Sequence, residues 1–214
     1  MRGEMDVVAF HAEYDAHPDD RLRLFSAVAD HIDSGLVLYP GSYVDIAPSV
    51  FFEDVVYVDT DRRAARFFAQ ADEVRQLIDS KRAASGRAPL GSGTVRFHQA
   101  DYSDPIPLAD NAVGLLVSLY AGFVSEHCSR YLAPGGWLLA NNSHGDASMA
   151  SLDPGYSLAA VVISRGGGYR VSTKDLDGYM IPKKGPAPSI EDLHRTNRGI
   201  AFTRTAFAYL FKRG

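Results

Sequence analysis

The residues with the clearest chemical use stand at the ends of short apolar runs. Leu36-Val37-Leu38-Tyr39 leads into Pro40-Gly41-Ser42, and Val55-Val56-Tyr57-Val58 leads into Asp59-Thr60-Asp61. The run from Thr94 to His98 leads to Asp101-Tyr102, and the run from Val113 to Leu119 ends near Ser118-Leu119-Tyr120. A glycine after a strand lets backbone approach a ligand closely. Asp59, eighteen residues after Gly41, can accept hydrogen bonds from both hydroxyls of a ribose. Asp101 can accept a bond from an adenine amino group, and Tyr102 and Tyr120 each offer a flat face with a polar tip. Together these groups suit an adenosine-containing cofactor, provided that one rim carries all four strand ends.

The order of elements supplies that rim. Pro18, Asp19 and Asp20 open a helix that runs from about Pro18 to Ser34 and stops at Gly35, with Leu22, Phe25, Val28 and Ile32 at helical spacing. Strands are predicted over 36–39 and 55–58, then a helix over 62–84 with Phe67, Ala71, Val74 and Ile78 on one face. A polar loop over 82–94 precedes strands at 94–98 and 113–119. A helix over 123–132 and a strand over 137–140 follow. Alternating strands and helices call for a parallel sheet with crossover helices, and ligands bind beyond the carboxyl ends of such strands where strand order reverses. The connection from Ser42 to Val55 carries Pro48 and is short, which predicts a stunted first crossover helix. The tail differs. It reads as strands at 158–163 and 169–172 around a Gly166-Gly167-Gly168 turn, a short helix at 189–196 capped by Ser189, and a last strand at 205–212.

Composition bounds the function. The chain has 214 residues, 46% of them hydrophobic, enough for one domain with a sizeable core. A net charge of −4 argues against gripping duplex nucleic acid by bulk positive charge. The single cysteine, Cys128, cannot form an internal disulfide, and no Cys/His cluster is spaced for zinc, so no metal is expected. The first residues lack the apolar core of a secretory signal, and no apolar run is long enough to span a bilayer. A cytoplasmic protein with no membrane partner is the expectation.

From about Leu36 to Asn142 the sequence resembles the class I S-adenosylmethionine-dependent methyltransferases. The most specific segment is Arg130-Tyr131-Leu132-Ala133-Pro134-Gly135-Gly136-Trp137-Leu138-Leu139, similar to the R-x-L-x-P-G-G-x-L turn before that family's fifth strand. Asp110 to Ser118 resembles the fourth strand and its approach. Val56-Tyr57-Val58-Asp59 resembles the second strand with its ribose-binding acid, and Gln99-Ala100-Asp101 resembles the motif whose acid meets adenine. The resemblance implies an α/β fold. Its sheet would be doubly wound, mostly parallel and seven-stranded, with helices on both faces and an antiparallel C-terminal part. It also implies S-adenosylmethionine as cofactor, held by Tyr39, Pro40, Gly41, Ser42, Asp59, Thr60, Asp101, Tyr102, Ser118 and Tyr120. On this basis residues 1–214 form one domain. It comprises a helical segment (1–35), a cofactor-binding half (36–142) and a C-terminal part on the side of an unidentified methyl acceptor (143–214).

One departure stands out. The family's first loop is usually an acid followed by G-x-G-x-G, whereas here Tyr39 stands at the acid's place and only Gly41 of the three glycines is present. Tyr43 carries a side chain where backbone usually approaches the methionine part of the cofactor. This loop motivates an alternative reading, a methyltransferase-like binding or scaffold domain without catalysis. A nicotinamide enzyme is disfavoured by the missing G-x-G-x-x-G. Tyr120, His127, Asn141 and His144 are candidate proton acceptors near the rim, but no pattern singles out a catalytic residue. In plainer readings, Asp59 caps the following helix and Asp101 serves a turn. Cys128 is then a buried inert thiol, and Lys81-Arg82 with Arg87, like Lys183-Lys184, forms a solvated basic face.

Overall fold

The structure is a computed structural model that describes residues 6–15 and 20–214. Pro18 and Asp19, expected to open the first helix, and the first five residues lie outside the described residues. In chain order the elements are α1 (Val7–Asp15), α2 (Arg21–Ala29), β1 (Val37–Pro40), α3 (Ala47–Phe51), β2 (Val55–Asp59), α4 (Arg62–Phe68), α5 (Ala71–Ala84) and β3 (Val95–Gln99). There follow β4 (Val113–Ser118), α6 (Val124–Cys128), β5 (Leu132–Ala140), α7 (Asp146–Leu152), β6 (Tyr156–Arg165), β7 (Gly168–Ser172), α8 (Ile190–Thr196) and β8 (Ala208–Arg213).

All the strands join one sheet in the order β3-β2-β1-β4-β5-β8-β6-β7. Strands β1 to β5 are mutually parallel, and β8 runs antiparallel between β5 and β6. The sheet is therefore doubly wound and mostly parallel with an antiparallel C-terminal part. It has eight strands rather than seven, because β7 returns from β6 and adds an edge.

The apolar runs follow from burial on both faces. Val37, Tyr39, Val55, Tyr57, Leu115 and Val117 point into a core shared with Val7, Phe25, Phe67 and Ile78 of the helices on that side. Leu38, Val56, Val58 and Leu116 point the other way, toward Val124, Cys128, Ala147 and Ala150. Side chains thus alternate between two cores along each central strand.

Several boundaries differ from the sequence expectation. The helix expected from about Pro18 to Ser34 is α2, which spans Arg21 to Ala29, and Asp20 caps it by accepting from the Arg23 amide at 2.9 Å. The 62–84 helix breaks at Ala69-Gln70, after the adjacent buried rings of Phe67 and Phe68. Ala71, expected on the apolar face, is exposed because it starts a new helix there. The helix over 123–132 ends at Cys128 and passes through a single tight turn into a longer β5. The stunted crossover is the five-residue α3. Helices α1 and α7 were not foreseen.

The basic cluster at Lys81, Arg82 and Arg87 is not simply a solvated face. Arg82 is 4% exposed. Its guanidinium donates to the carbonyls of Ala88 (2.6 Å) and Ser49 (3.1 Å) and pairs with Glu53 at 2.7 Å. Lys81 pairs with Asp15, and Arg87 lies over the Phe51 ring at 4.8 Å. At helical spacing from Val74 and Ile78, Arg82 falls on the buried face, and the carbonyls of α3 and the 85–94 loop receive it. Replacing Arg82 with Ala strands those acceptors. We expect it to lower stability by about 3 kcal/mol, on the order of the cost of losing buried charge-assisted bonds. The check is a lower denaturant midpoint at unchanged slope.

Candidate functional site

The carboxyl ends of β1, β2, β3 and β4 open into a cleft of about 290 Å³. Gly41, Asp59, Thr60, Asp101, Tyr102 and Tyr120 line it, joined by Ala100 and Ala121. Six of the ten residues singled out from sequence therefore meet at one place, where strand order reverses around β1.

Each is held by local chemistry. Gly41 has φ +66°, and a Cβ there would lie 2.4 Å from the Ala121 side chain. Only glycine allows the tips of β1 and β4 to come this close. Asp59 Oδ2 accepts the Tyr43 amide at 2.7 Å and Oδ1 accepts the Asp61 amide at 2.8 Å. Each oxygen of a carboxylate has a second lone pair, so the side chain is fixed and retains capacity for two more donors. Capping of α4 falls instead to Asp61, which accepts from the Arg63 amide. Asp101 makes a turn: Oδ1 accepts the Ser103 amide (2.9 Å) and hydroxyl (2.8 Å). The Ser103 amide is the main cause that holds its carboxyl below the usual range. The Tyr102 hydroxyl donates to the Ala121 carbonyl at 2.7 Å, and burial pushes its pKa up to about 12. Tyr120 has φ +61°, a left-handed conformation uncommon for a bulky residue, and its 42% exposed ring rests on the Arg21 guanidinium, 5.1 Å from the ring centroid.

Tyr39, Pro40, Ser42 and Ser118 do not line the cleft. Alternation along β1 sends Tyr39 into the core, where it is 2% exposed and donates to Asp45 Oδ2 at 3.1 Å. Pro40, Ser42 and Ser118 are buried within or beside the strand tips. The Tyr43 ring packs against Phe10 and Tyr14 of α1 and beneath Arg63, away from the cleft lining. Its φ of +47° makes that turn.

Sequence reading named Asn141 only as a candidate proton acceptor and missed Asp45, Asn142 and Asp146 beneath the rim. Asp45 is 1% exposed, accepts the Ala47 amide at 3.0 Å and faces Arg21 Nε at 3.6 Å. Burial pushes its carboxyl up, against the pull of Arg21. Asn141 Oδ1 accepts the Tyr120 amide at 3.2 Å and so ties the tip of β5 to that of β4. Asn142 accepts from the Ser148 amide and hydroxyl and donates to the Ile200 carbonyl, docking the 173–206 segment on the same edge. Asp146 is 2% exposed and accepts both the amide and the hydroxyl of Ser125. The only legible signal was the clustering of Asn141-Asn142, His144 and Asp146 after a strand.

Among the earlier candidate bases, His127 is exposed beside Tyr102, with ring centroids 5.8 Å apart. His144 Nδ1 is buried without a hydrogen-bond partner among the described residues. Cys128 is buried, and burial pushes its thiol up to about 12. Among the described residues no group of three or more His, Cys, Asp or Glu could hold a metal ion, and no helix is long and apolar enough to cross a membrane.

Neither a family model nor a curated protein matches the sequence. Solved structures do match. A protein of Corynebacterium glutamicum aligns over 82% of this chain and 93% of its own, with 17% identity and a TM-score of 0.51. The N-methyltransferase NodS of Bradyrhizobium japonicum, solved with S-adenosyl-L-homocysteine, aligns over 64% and 67% (14% identity, TM-score 0.42). A Bacillus halodurans structure, provisionally assigned as a methyltransferase, aligns over 61% of this chain (19% identity, TM-score 0.37), and this chain spans about half of that protein's length, 55%. The decisive observation is the sheet, with β8 antiparallel between β5 and β6. This is a doubly wound, methyltransferase-like Rossmann fold. Within it, the cleft lies at the carboxyl ends of β1 to β4, and the 173–206 segment packs against the tip of β5.

Among the described residues no cation pairs with Asp146, and burial pushes its carboxyl up to about 6. The unfolded chain ionises this group nearer 3.8. Its contribution to stability is therefore full below about pH 4, declines as pH rises toward 6 and stays lost beyond. The span corresponds to about 3 kcal/mol. An asparagine at this position would still accept both Ser125 donors without charge. We expect Asp146→Asn to remove this decline, measured as melting temperature against pH for the two proteins. Parallel curves between about pH 4 and 6 would show that Asp146 does not titrate there.

Proposed function

We propose that this chain is a methyltransferase that takes its methyl group from S-adenosylmethionine and passes it to an acceptor not yet identified. The observation that carries the reading is the cleft shared by Gly41, Asp59, Thr60, Asp101, Tyr102 and Tyr120. Its groups fit a nucleoside. Asp59 keeps two lone pairs for vicinal hydroxyls, Asp101 Oδ2 is available to an amino group, and Tyr102 provides a flat wall. A volume of about 290 Å³ is at the lower end of the usual small-molecule range.

The cofactor supplies an activated methyl group on a sulfonium. The chain's own task is to bind and align, and to accept a proton where the acceptor carries one. In this proposal Asp59 and Thr60 hold the ribose, Asp101 and Tyr102 the base, and Gly41 allows close backbone approach. Residues 143–214 form the acceptor side, with Tyr120, Asn141 and His144 nearest to it.

One observation favours a second reading, a binding domain without catalysis. The amides of Gly41, Ser42 and Tyr43 already donate within the fold, to the Val58 carbonyl twice and to Asp59. A first loop whose leading three amides are already engaged is poorly suited to the work that the glycine-rich loop usually does.

Calorimetric titration with S-adenosylmethionine and S-adenosylhomocysteine separates the two. Under the first reading the wild-type chain binds in the micromolar range. Asp59→Ala weakens binding about tenfold, or about 1.4 kcal/mol, while the variant still melts cooperatively. Absence of binding to the wild-type chain overturns the methyltransferase reading and leaves the scaffold reading.

A further inference from the structure

Charge is unevenly divided along this chain. Residues 156–214 hold ten of the 22 Lys and Arg but only four of the 26 Asp and Glu, a net charge of +6. Residues 1–155 carry −10. The overall −4 thus conceals a basic C-terminal part.

Two of the ten cations, Arg195 and Arg204, pair with Asp192 and Asp175 of their own segment. Lys212 and Arg213 lie over the rings of Trp137 and Tyr156, at the end of the sheet opposite the cleft. The other six, Arg165, Arg170, Lys174, Lys183, Lys184 and Arg198, are exposed and meet no acid among the described residues.

All of these but Lys174 stand at the rim that bears the cleft. Ala140, at the tip of β5, is level with Tyr209 of β8 and through it with Val161 of β6. Arg165 lies four residues beyond that level, about 13 Å at the rise of a strand. Arg170 faces Ile163 across the β6–β7 hairpin. Ile163 packs into the core that also takes Ile200 and Phe202, so alternation puts Arg165 and Arg170 on the face covered by the 173–206 segment. In that segment the Ile200 carbonyl accepts from Asn142, and the Ala201 carbonyl accepts the Lys183 amide at 2.8 Å. A Cβ at Gly145 would lie 3.1 Å from the Arg198 carbonyl carbon and 3.1 Å from the Phe123 ring, so Arg198 sits on the loop after β5 with an aromatic ring beside it. The exposed ring of Tyr120, whose amide Asn141 holds, borders both this surface and the cleft.

A small anion is held by a tight cluster of donors. These cations instead stand apart on two elements, the hairpin and the 173–206 segment, and suit a partner with charge repeated along its length. Flat rings at the border suit bases, since positive charge that tracks a backbone, together with aromatic faces, is how single strands are held. The acidic remainder of the chain would repel the second strand of a duplex.

We propose that this surface binds single-stranded nucleic acid. As an identification of the methyl acceptor, the proposal rests on the methyltransferase reading. As a binding surface, it needs no cofactor.

The test is fluorescence anisotropy with a labelled single-stranded RNA of about 12 nucleotides, in about 0.1 M salt, where charges more than about 10 Å apart are screened. The wild-type chain is expected to bind, and to bind poly-L-glutamate of matched charge at least tenfold more weakly. Two paired variants, Arg165→Gln with Arg170→Gln and Lys183→Gln with Arg198→Gln, should each weaken RNA binding about fivefold or more and lower the slope of log affinity against log salt by about 1.4, at about 0.7 per phosphate released. Arg66→Gln with Arg96→Gln, exposed arginines of the acidic part, should change neither. Unaltered melting temperatures show that the variants are folded. No binding of RNA, equal binding of polyglutamate, or equal loss in the control pair overturns the proposal. The titration with S-adenosylhomocysteine is independent of these readings: its failure beside intact RNA binding removes the methyltransferase reading and the acceptor role, and leaves the nucleic-acid surface supported.

Discussion

The approach of the β1 tip to the β4 tip governs what the rim can hold. β1 is bonded to β2 on one side and to β4 on the other, so its two neighbours lead away in opposite senses. Loops leaving such a point usually part and open a crevice. Here Gly41 and Ala121 touch across it, and a side chain at position 41 would collide with that neighbour. From this contact follow the left-handed turns at Gly41 and Tyr43 and the folding of the first loop onto Asp59. The loop after β4 is tied down in turn, through the Tyr102 hydroxyl and the Asn141 amide oxygen.

Two buried acids lie near this contact, and the fold treats them in different ways. Asp45 has a cation, Arg21, and a phenol, Tyr39, around it. Asp146 is held by neutral donors, the amide and hydroxyl of Ser125. A paired ion fixes an orientation over a wide range of pH, whereas a carboxylate under apolar cover without a counter-charge responds to it. The first ties β1 to α2 and α3, and the second ties α6 to α7.

The sequence carried the fold well because its central strands are buried on both faces. Val113 to Ser118 admits little else than a covered parallel strand, and Pro134-Gly135-Gly136 marks its neighbour. The rim residues were legible insofar as they follow directly from a strand end, as Asp59, Asp101 and Gly41 do. Tyr39 and Ser118 lie outside the cleft lining because a residue at a strand's end can face either layer, and only the register decides which. Arg82 was read by its charge, although its spacing from Ile78 already put it on the buried face. Arg21 and Asp45 had no local signature, and Asp146 had only its place in the polar cluster after β5. Arg21 and Asp146 acquire their surroundings from segments far away in the chain, the one from the loop after β4 and the other from the start of α6.

The placement of β8 has a consequence for how the molecule comes into being. It is the last strand in chain order, yet it lies inside the sheet, with β5 on one side and β6 on the other. Until β8 is made, both of those strands present unpaired edges, and no strand ladder joins the hairpin of β6 and β7 to the rest of the sheet, only side contacts such as that of Arg23 with the Gly167 carbonyl. Such edges are templates for wrong partners. The sheet closes only once the stretch from Ala208 to Arg213 lies between two strands that precede it in the chain. A nascent chain of this protein is therefore at its most adhesive just before β8 is made.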